Sequence, residues 1–400
     1  MSLVYQVNLS IHAISEIIFM IQTSFPLLKI RGKAVLPVIQ GGMGVGISAH
    51  KLAGTVAKEG AIGTIASIDL RIHHPDLLDK SNESRDAEVI EVCNLQALAR
   101  EIAAARKIAP DGFIAINVMK AIAGHEKLVK QACYSGADAI VMGAGLPLDL
   151  PDMTDGYDIA LIPILSDARG VKVLLKRWMR KNVLPDAIII ENPKYAGGHL
   201  GATKQEAIGD EKYNFELVFT EIKQLFEDLG IEAIPLIAAG GINSFESMKK
   251  IFDLGASGVQ LGTAFAVTTE GDADEKFKRT LIDANQEDIV TFISTAGLPA
   301  RAVKSPWLNK YLKREEKLRK NAAPERAKCA GWAECLSHCG FRDGNPDAGQ
   351  FCILKQLEAA VTGDYEKGLF FRGSEPMIFE KNIHPVHDVL EYLLTGNKAA

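Results

Sequence analysis

IPLIAAGGI (residues 234–242) and GVQLGTAF (residues 258–265) read as two short buried strands that each run straight into glycine, with SFESMKKIFDL (residues 244–254) between them. The intervening segment has the apolar spacing of a helix, Ser244 stands where an N-cap side chain accepts a backbone N–H, and Gly255 follows the last turn. A strand, a helix and a second strand in so short a span make the βαβ unit of a parallel sheet. Working outward, six further Val/Ile-rich runs alternate with helical patterns: Val35–Gln40, Ala61–Ile65, Phe113–Val118, Ala139–Met142, Ile159–Leu165 and Ala187–Ile190. Asn94 is placed to cap a helix over Leu95–Ile108, and another helix is expected to start near Ser48. With Ile234–Ala238 and Gly258–Leu261 the strands number eight, which predicts a closed (β/α)8 TIM barrel with its function at the C-terminal strand ends. An open doubly wound sheet is the alternative.

The domain reading follows from where this pattern starts and stops. Residues 1–27 form an N-terminal extension, 28–303 the barrel, and 304–400 a helical, cysteine-containing C-terminal cap. The mixed charges from Lys310 to Lys328 are those of a solvated helix. A formal net charge of −5 supplies no basic surface, so neither nucleic acid nor an anionic membrane is an expected partner; a small molecule is. The apolar stretch from Ile11 to Leu28 is broken by His12, Glu16, Gln22 and Pro26, so it is neither a membrane span nor a signal peptide, and a cytoplasmic protein is expected. Of the six cysteines, Cys93 and Cys133 stand alone. Cys329, Cys335, Cys339 and Cys352 are separated by five, three and twelve residues, which matches neither paired CxxC zinc sites nor ferredoxin patterns, so reduced thiols in a structural cap and no metal are expected.

Four strand ends carry the chemistry. The first strand enters Gly41-Gly42-Met43-Gly44-Val45-Gly46, where backbone can approach a flat or anionic ligand. The glycines after strands seven and eight, Gly240, Gly241 and Gly262, fall where barrels commonly bind phosphate. After strand six, the chain from Glu191 to Gly201 holds His199 beside Gly197 and Gly198, positioned for proton transfer or anion stabilisation in the mouth. His73, His74, His125, His384 and His387 stand in polar or terminal contexts and read as surface residues.

The runs PVIQGGMGVG, GAIGTIAS, AINVM, AGGHLG, IAAGGI, QLGTAF and GLPARAV, in this order from about Leu28 to Val303, resemble nitronate monooxygenases (formerly 2-nitropropane dioxygenases), and also the flavin-dependent enoyl-acyl-carrier-protein reductases. The resemblance implies FMN across the barrel mouth. Met43 and Gly44 would then contact the isoalloxazine through the backbone, Asn117 would hydrogen-bond it, and Gly197 would lie close to it. Gly241, Gln260, Gly262 and Thr263 would surround the phosphate, with His199 over the flavin face as the catalytic residue. Tyr195 stands where family members usually have Glu, and either Glu191 or Asn192 is the flavin contact after strand six. The implied reaction is oxidation of nitronates or nitroalkanes by O2 to a carbonyl compound and nitrite, with a possible homodimer as the assembly. The alternative is FMN- and NAD(P)H-dependent reduction of enoyl thioesters. A nucleotide dehydrogenase would need a cysteine after strand six, and none lies between Cys133 and Cys329. A flavin- or cluster-bearing electron carrier would require the late cysteines to hold iron.

Overall fold

The computed structural model describes residues 21–84, 86–329 and 335–399. Its centre is a closed barrel of eight parallel strands in chain order, β1 (Val38–Gln40), β2 (Ile62–Ala66), β3 (Phe113–Met119), β4 (Ala139–Gly143), β5 (Ala160–Leu165), β6 (Ile188–Glu191), β7 (Leu236–Ala239) and β8 (Gly258–Leu261). The seam closes where β8 pairs with β1, Val259 opposite Val38 and Leu261 opposite Gln40. All eight expected strands are present, with ends shifted by up to three residues. The open-sheet alternative is thereby excluded.

Alternation along the strands sorts the core into two layers. Ile39, Ile62, Ala115, Val141, Ile162, Ile189 and Ile237 pack together inside the barrel. Their neighbours, such as Val38, Ile65, Ile116, Ile140, Ile190 and Val259, pack outward against the helices. Helix and sheet approach so closely at β2 that Gly63 has no room for a side chain: a Cβ there would lie 1.8 Å from the Ala53 carbonyl oxygen.

The helices depart from the sequence reading at their ends. Ser244 caps Phe245–Asp253 as expected, in a capping box with Ser247. The helix expected from Leu95 instead runs Ala87–Ile108, capped by Asp86, with Asn94 buried in its interior. The apolar stripe decides this: Ile90 and Cys93, upstream of Asn94, continue the buried face that Ala97 and Leu98 form downstream, and that burial outweighs one local cap. The helix expected near Ser48 starts at His50, and its first amides are capped by a distant side chain, Asp272, which accepts from Ala49, Lys51 and Leu52.

After the barrel, Ile289–Ile293 and Pro299–Val303 form an antiparallel hairpin, and the free edge of its second strand pairs with Gly198–His199 at Ala300 and Arg301 and with Phe370–Phe371 at Ala302 and Val303. Helices Pro306–Leu312, Ile353–Val361 and Val386–Thr395 complete this region. The charged run is not one helix; it breaks into the end of Pro306–Leu312, the helix Glu315–Lys320 with no fully buried residue, and a single turn at Arg326–Lys328. Its first helix buries Leu308 and Tyr311, so that part is anchored rather than solvated. Most of the expected N-terminal extension, residues 1–20, lies outside the described residues. The segment from Thr23 to Phe25 is pinned to the barrel, with Phe25 against Phe252 (ring centroids 4.6 Å apart) and Thr23 Oγ1 donating to the Leu394 carbonyl at 2.8 Å. No helix among the described residues is long and apolar enough to cross a membrane.

Replacing Gly63 by alanine tests the helix–sheet contact. The new Cβ meets backbone, which cannot swing aside, so the variant should lose about 3 kcal/mol, the upper end of overpacking costs. Urea unfolding followed by far-UV circular dichroism measures it; an unchanged midpoint would mean that the contact gives way freely.

Candidate active site

The inward-facing side chains of the barrel end in one last layer. Counting by twos from the interior residues, that layer is Gly41, Ala66, Asn117, Gly143, Ile164, Glu191, Ala239 and Gln260, and every member lines a cavity of about 950 Å³ at the C-terminal mouth. Four of the eight are glycine or alanine, so they leave a shallow floor where larger residues would plug the barrel. Asn117, Glu191 and Gln260 place polar groups in that floor. Asn117 donates from Nδ2 to the Val141 carbonyl at 3.3 Å, and Gly42 must stay bare because its Cβ would lie 2.3 Å from that of Asn117.

Several cavity-lining polar atoms are buried and unpartnered among the described residues: Gln260 Oε1, Ser67 Oγ and Arg372 Nε. Leaving such atoms unsatisfied is costly, so a ligand with complementary polar edges fits here. A flat heterocycle carrying carbonyl and ring-nitrogen groups has that character. At the side of the floor, Gly240 and Gly241 both have positive φ, and a Cβ on Gly241 would lie 2.9 Å from the Tyr195 ring. Gly262 precedes a one-turn helix, Thr263–Ala266, and faces Met43, whose sulfur a Cβ would meet at an ordinary 3.5 Å. Thr263 Oγ1 accepts from the Gly373 amide at 3.1 Å, which ties the C-terminal region to this edge.

The opposite wall comes from beyond the barrel. His199 lies in the two-residue strand paired with Ala300 and Arg301; its Nε2 is 2.9 Å from Ser294 Oγ, and its ring centroid is 5.8 Å from that of Phe371. The Arg301 guanidinium holds the preceding loop by donating to the carbonyls of Pro193 and Ala196. Gly197 is packed under the same wall, since a Cβ would lie 2.5 Å from the Arg372 carbonyl carbon. Burial pushes the His199 pKa down to about 4, so the ring is neutral near pH 7. Burial also pushes the Glu191 carboxyl up to about 7, against the opposing pull of Arg301.

Met43, Gly44, Asn117, Gly197, His199, Gly241, Gln260, Gly262 and Thr263 therefore all border one cavity. Sequence reasoning missed Phe371 and Arg372, which line the cavity, and Ser294 and Arg301, which hold His199 and the loop before it. Of the two residues singled out after strand six, Glu191 lines the cavity, two residues beyond Ile189 on an inward-facing strand, whereas Asn192 does not and donates to the Tyr213 carbonyl at 3.0 Å. The other histidines are less exposed than expected. His74 pairs with the buried Glu101 at 2.8 Å, His73 Nε2 lies 2.9 Å from the Gly46 carbonyl, and His384 stacks on Phe379 with centroids 4.0 Å apart. His125 bonds the Ile122 carbonyl at 2.7 Å, so that of the five histidines expected at the surface His387 alone is half exposed. None of the cysteines forms a disulfide, and among the described residues no group of three or more His, Cys, Asp or Glu is arranged to hold a metal ion.

A family profile described as Nitronate monooxygenase matches residues 27–396. The chain belongs to the nitronate monooxygenase family. It is accordingly a flavin-dependent oxidoreductase. Family relatives include a probable nitronate monooxygenase of Bacillus subtilis (strain 168), 27% identical over 293 residues, which span 68% of this chain and 77% of that protein. Another, from Staphylococcus aureus (strain N315), is 31% identical over 123 residues, 31% of this chain and 33% of that protein. The fold is shared with FabK from Thermotoga maritima (TM-score 0.64, 23% identity, covering 90% of this chain and 91% of that one). It is also shared with nitroalkane oxidase from Streptomyces ansochromogenes (TM-score 0.62, 17% identity, covering 92% and 95%).

The two shifted groups have opposite effects on stability with pH. His199 binds its proton more readily unfolded, so its contribution is lost as pH falls from about 6.5 to about 4. Glu191 binds its proton more readily folded, so its ionisation removes stability as pH rises from about 4.5 through about 7. Glu191→Gln in the flavin-free protein should therefore raise the melting temperature more at pH 8 than at pH 5.5. A gain of equal size at both pH values, read by differential scanning fluorimetry, would contradict the assignment.

Proposed function

We propose that the chain binds FMN on the barrel floor and oxidises nitronates with O2 to a carbonyl compound and nitrite. The observation that carries this is the pairing of a flat floor bearing three polar side chains with a wall that presents a neutral imidazole across the same cavity. Asn117 and Gln260 would hold the polar edge of the ring, Met43 and Gly44 would border it through their backbone, and Gly241, Gly262 and Thr263 would take the phosphate. Gly197 would lie beside the ring under the wall. The two glycine-bearing strand ends make a place for one terminal phosphate, which favours FMN over a dinucleotide.

When bound, the flavin supplies the electron transfer. The protein's part is to present and orient the substrate. A nitronate brings its own negative charge, and His199 can meet one of its oxygens with a ring N–H donor, the ring being oriented by Ser294. Phe371 and the bare backbone of Gly197 and Gly198 keep that contact dry, which strengthens it. The same burial makes His199 a weak base: with its pKa near 4 it is mismatched to removing an α-proton at neutral pH. The chain should therefore prefer a preformed nitronate over the neutral nitroalkane.

The assay compares both forms with wild type and His199→Ala at matched flavin content, following oxygen uptake and nitrite. FMN should be the flavin released on denaturation. Wild-type kcat/KM should be at least about tenfold higher for the nitronate, and the variant should lose about 10–100-fold on it, the worth of one hydrogen bond to a charged group. A variant that turns over nitronate at the wild-type rate would remove His199 from the mechanism. Equal wild-type rates on both forms would instead make it an effective base.

A further inference from the structure

Glu191 is the only carboxylate in the floor layer, and the presentation of substrate by His199 gives it no part. Its position is fixed by register: Glu191 lies opposite Ala239 of β7, while Ile190 on the same strand faces Leu165 of β5 and points outward. The chain that passes over it is bare backbone. Gly201, with φ +70°, lies so near that a Cβ would sit 3.5 Å from Glu191 Oε2 and 2.3 Å from Ser166 Oγ. Among the described residues the carboxyl makes no hydrogen bond and no ion pair, so it opens only to the cavity. Asn117 and Gln260 beside it in the floor are uncharged amides.

The charges that face it are few. Arg301, from the cap hairpin, pulls toward ionisation, but its guanidinium is committed to the carbonyls of Pro193 and Ala196. Neither flanking strand adds a charge, since β5 contributes Ile164 and β7 contributes Ala239 to the floor. Asp167, Arg169, Lys212, Arg372 and Glu375 border the cavity, as do the side chains of Tyr195, Tyr213 and Cys335, and His199 is neutral. An unpartnered carboxyl in such a place holds or releases its proton according to whatever charge arrives above it.

We propose that Glu191 is the proton partner of the bound flavin, releasing its proton while the ring is oxidised and taking one from water when the ring gains an electron pair. This rests on the flavin lying on the floor, as the proposed function has it. The electron pair comes from the organic substrate, or from dithionite in vitro, and ends on the ring. The proton comes from solvent and ends on the Glu191 carboxylate, so two negative charges are not left stacked in a dry site. The carboxylate that stands beside the oxidised ring becomes a carboxylic acid beside the reduced ring; one proton accompanies the two electrons beyond any that the ring itself binds. Burial supports the role by holding the carboxyl near pH 7, where a modest change of local charge shifts its occupancy.

The test is the midpoint potential of the flavin-loaded enzyme from pH 5.5 to 9, for wild type and Glu191→Gln, titrated with dithionite against a reference dye. Over the range where Glu191 is ionised beside oxidised flavin and protonated beside reduced flavin, the wild-type potential should fall more steeply than that of the variant. One extra proton per two electrons corresponds to about 30 mV per pH unit. At pH 9 the variant should be the easier to reduce. Curves that coincide across the range overturn the proposal. Should the glutamine variant fail to keep its flavin, the wild type alone decides, because a pH dependence no steeper than that of free FMN anywhere in the range also overturns it. Neither measurement uses a nitronate or oxygen. A chain that takes up no flavin would sink the proposed function together with this inference, whereas flavin uptake without the pH difference sinks this inference alone.

Discussion

Closing eight parallel strands on themselves sends every second side chain toward the axis, and the last of these on each strand must either plug the mouth or leave it open. Here half of the last layer is glycine and alanine, and the mouth is open. Everything at the site depends on that choice. A floor of small residues is flat enough for a planar ring, and the three polar members, Asn117, Glu191 and Gln260, become addressable from above. The layers beneath are filled by Ile39, Ile62, Val141, Ile162, Ile189 and Ile237, so the floor is backed by a rigid interior.

The second determinant is desolvation. His199 and Glu191 stand on different elements, yet both are driven toward their neutral forms by the same enclosed space. A neutral imidazole can donate to an anionic substrate without first being titrated, and a carboxyl near neutrality can respond to a change of charge. The wall is built from the chain beyond the barrel: Ser294 sets the imidazole, Phe371 shields it, and Arg301 and the Gly373 amide fasten the cap to the strand ends. The cap thus completes the site as well as covering it.

The barrel was legible because its signal is local and repeated. Runs such as Ala139–Met142 and Gly258–Leu261 announce themselves by composition, and glycines at their ends mark where the chain turns toward a ligand. The nine site residues named from sequence all border one cavity because strand ends in a closed barrel have nowhere else to converge. What escaped was non-local. Asn94 looks like a cap until the apolar stripe upstream is weighed against it, and Asp272 caps a helix more than two hundred residues away. Ser294, Arg301, Phe371 and Arg372 carry no motif that distinguishes a cavity wall from an ordinary surface hairpin. His74 appears polar in sequence and is half-buried because Glu101, from another helix, reaches it.

The central claim is that this floor and wall bring a flavin and a nitronate together. The most direct measurement is anaerobic mixing of the flavin-loaded protein with either a nitronate or NADPH while the visible spectrum is monitored. The account predicts that nitronate bleaches the oxidised flavin band within the enzyme's turnover time and that NADPH does so far more slowly. Rapid bleaching by NADPH with no response to the nitronate would contradict it and would place the chain with reductases of the same fold.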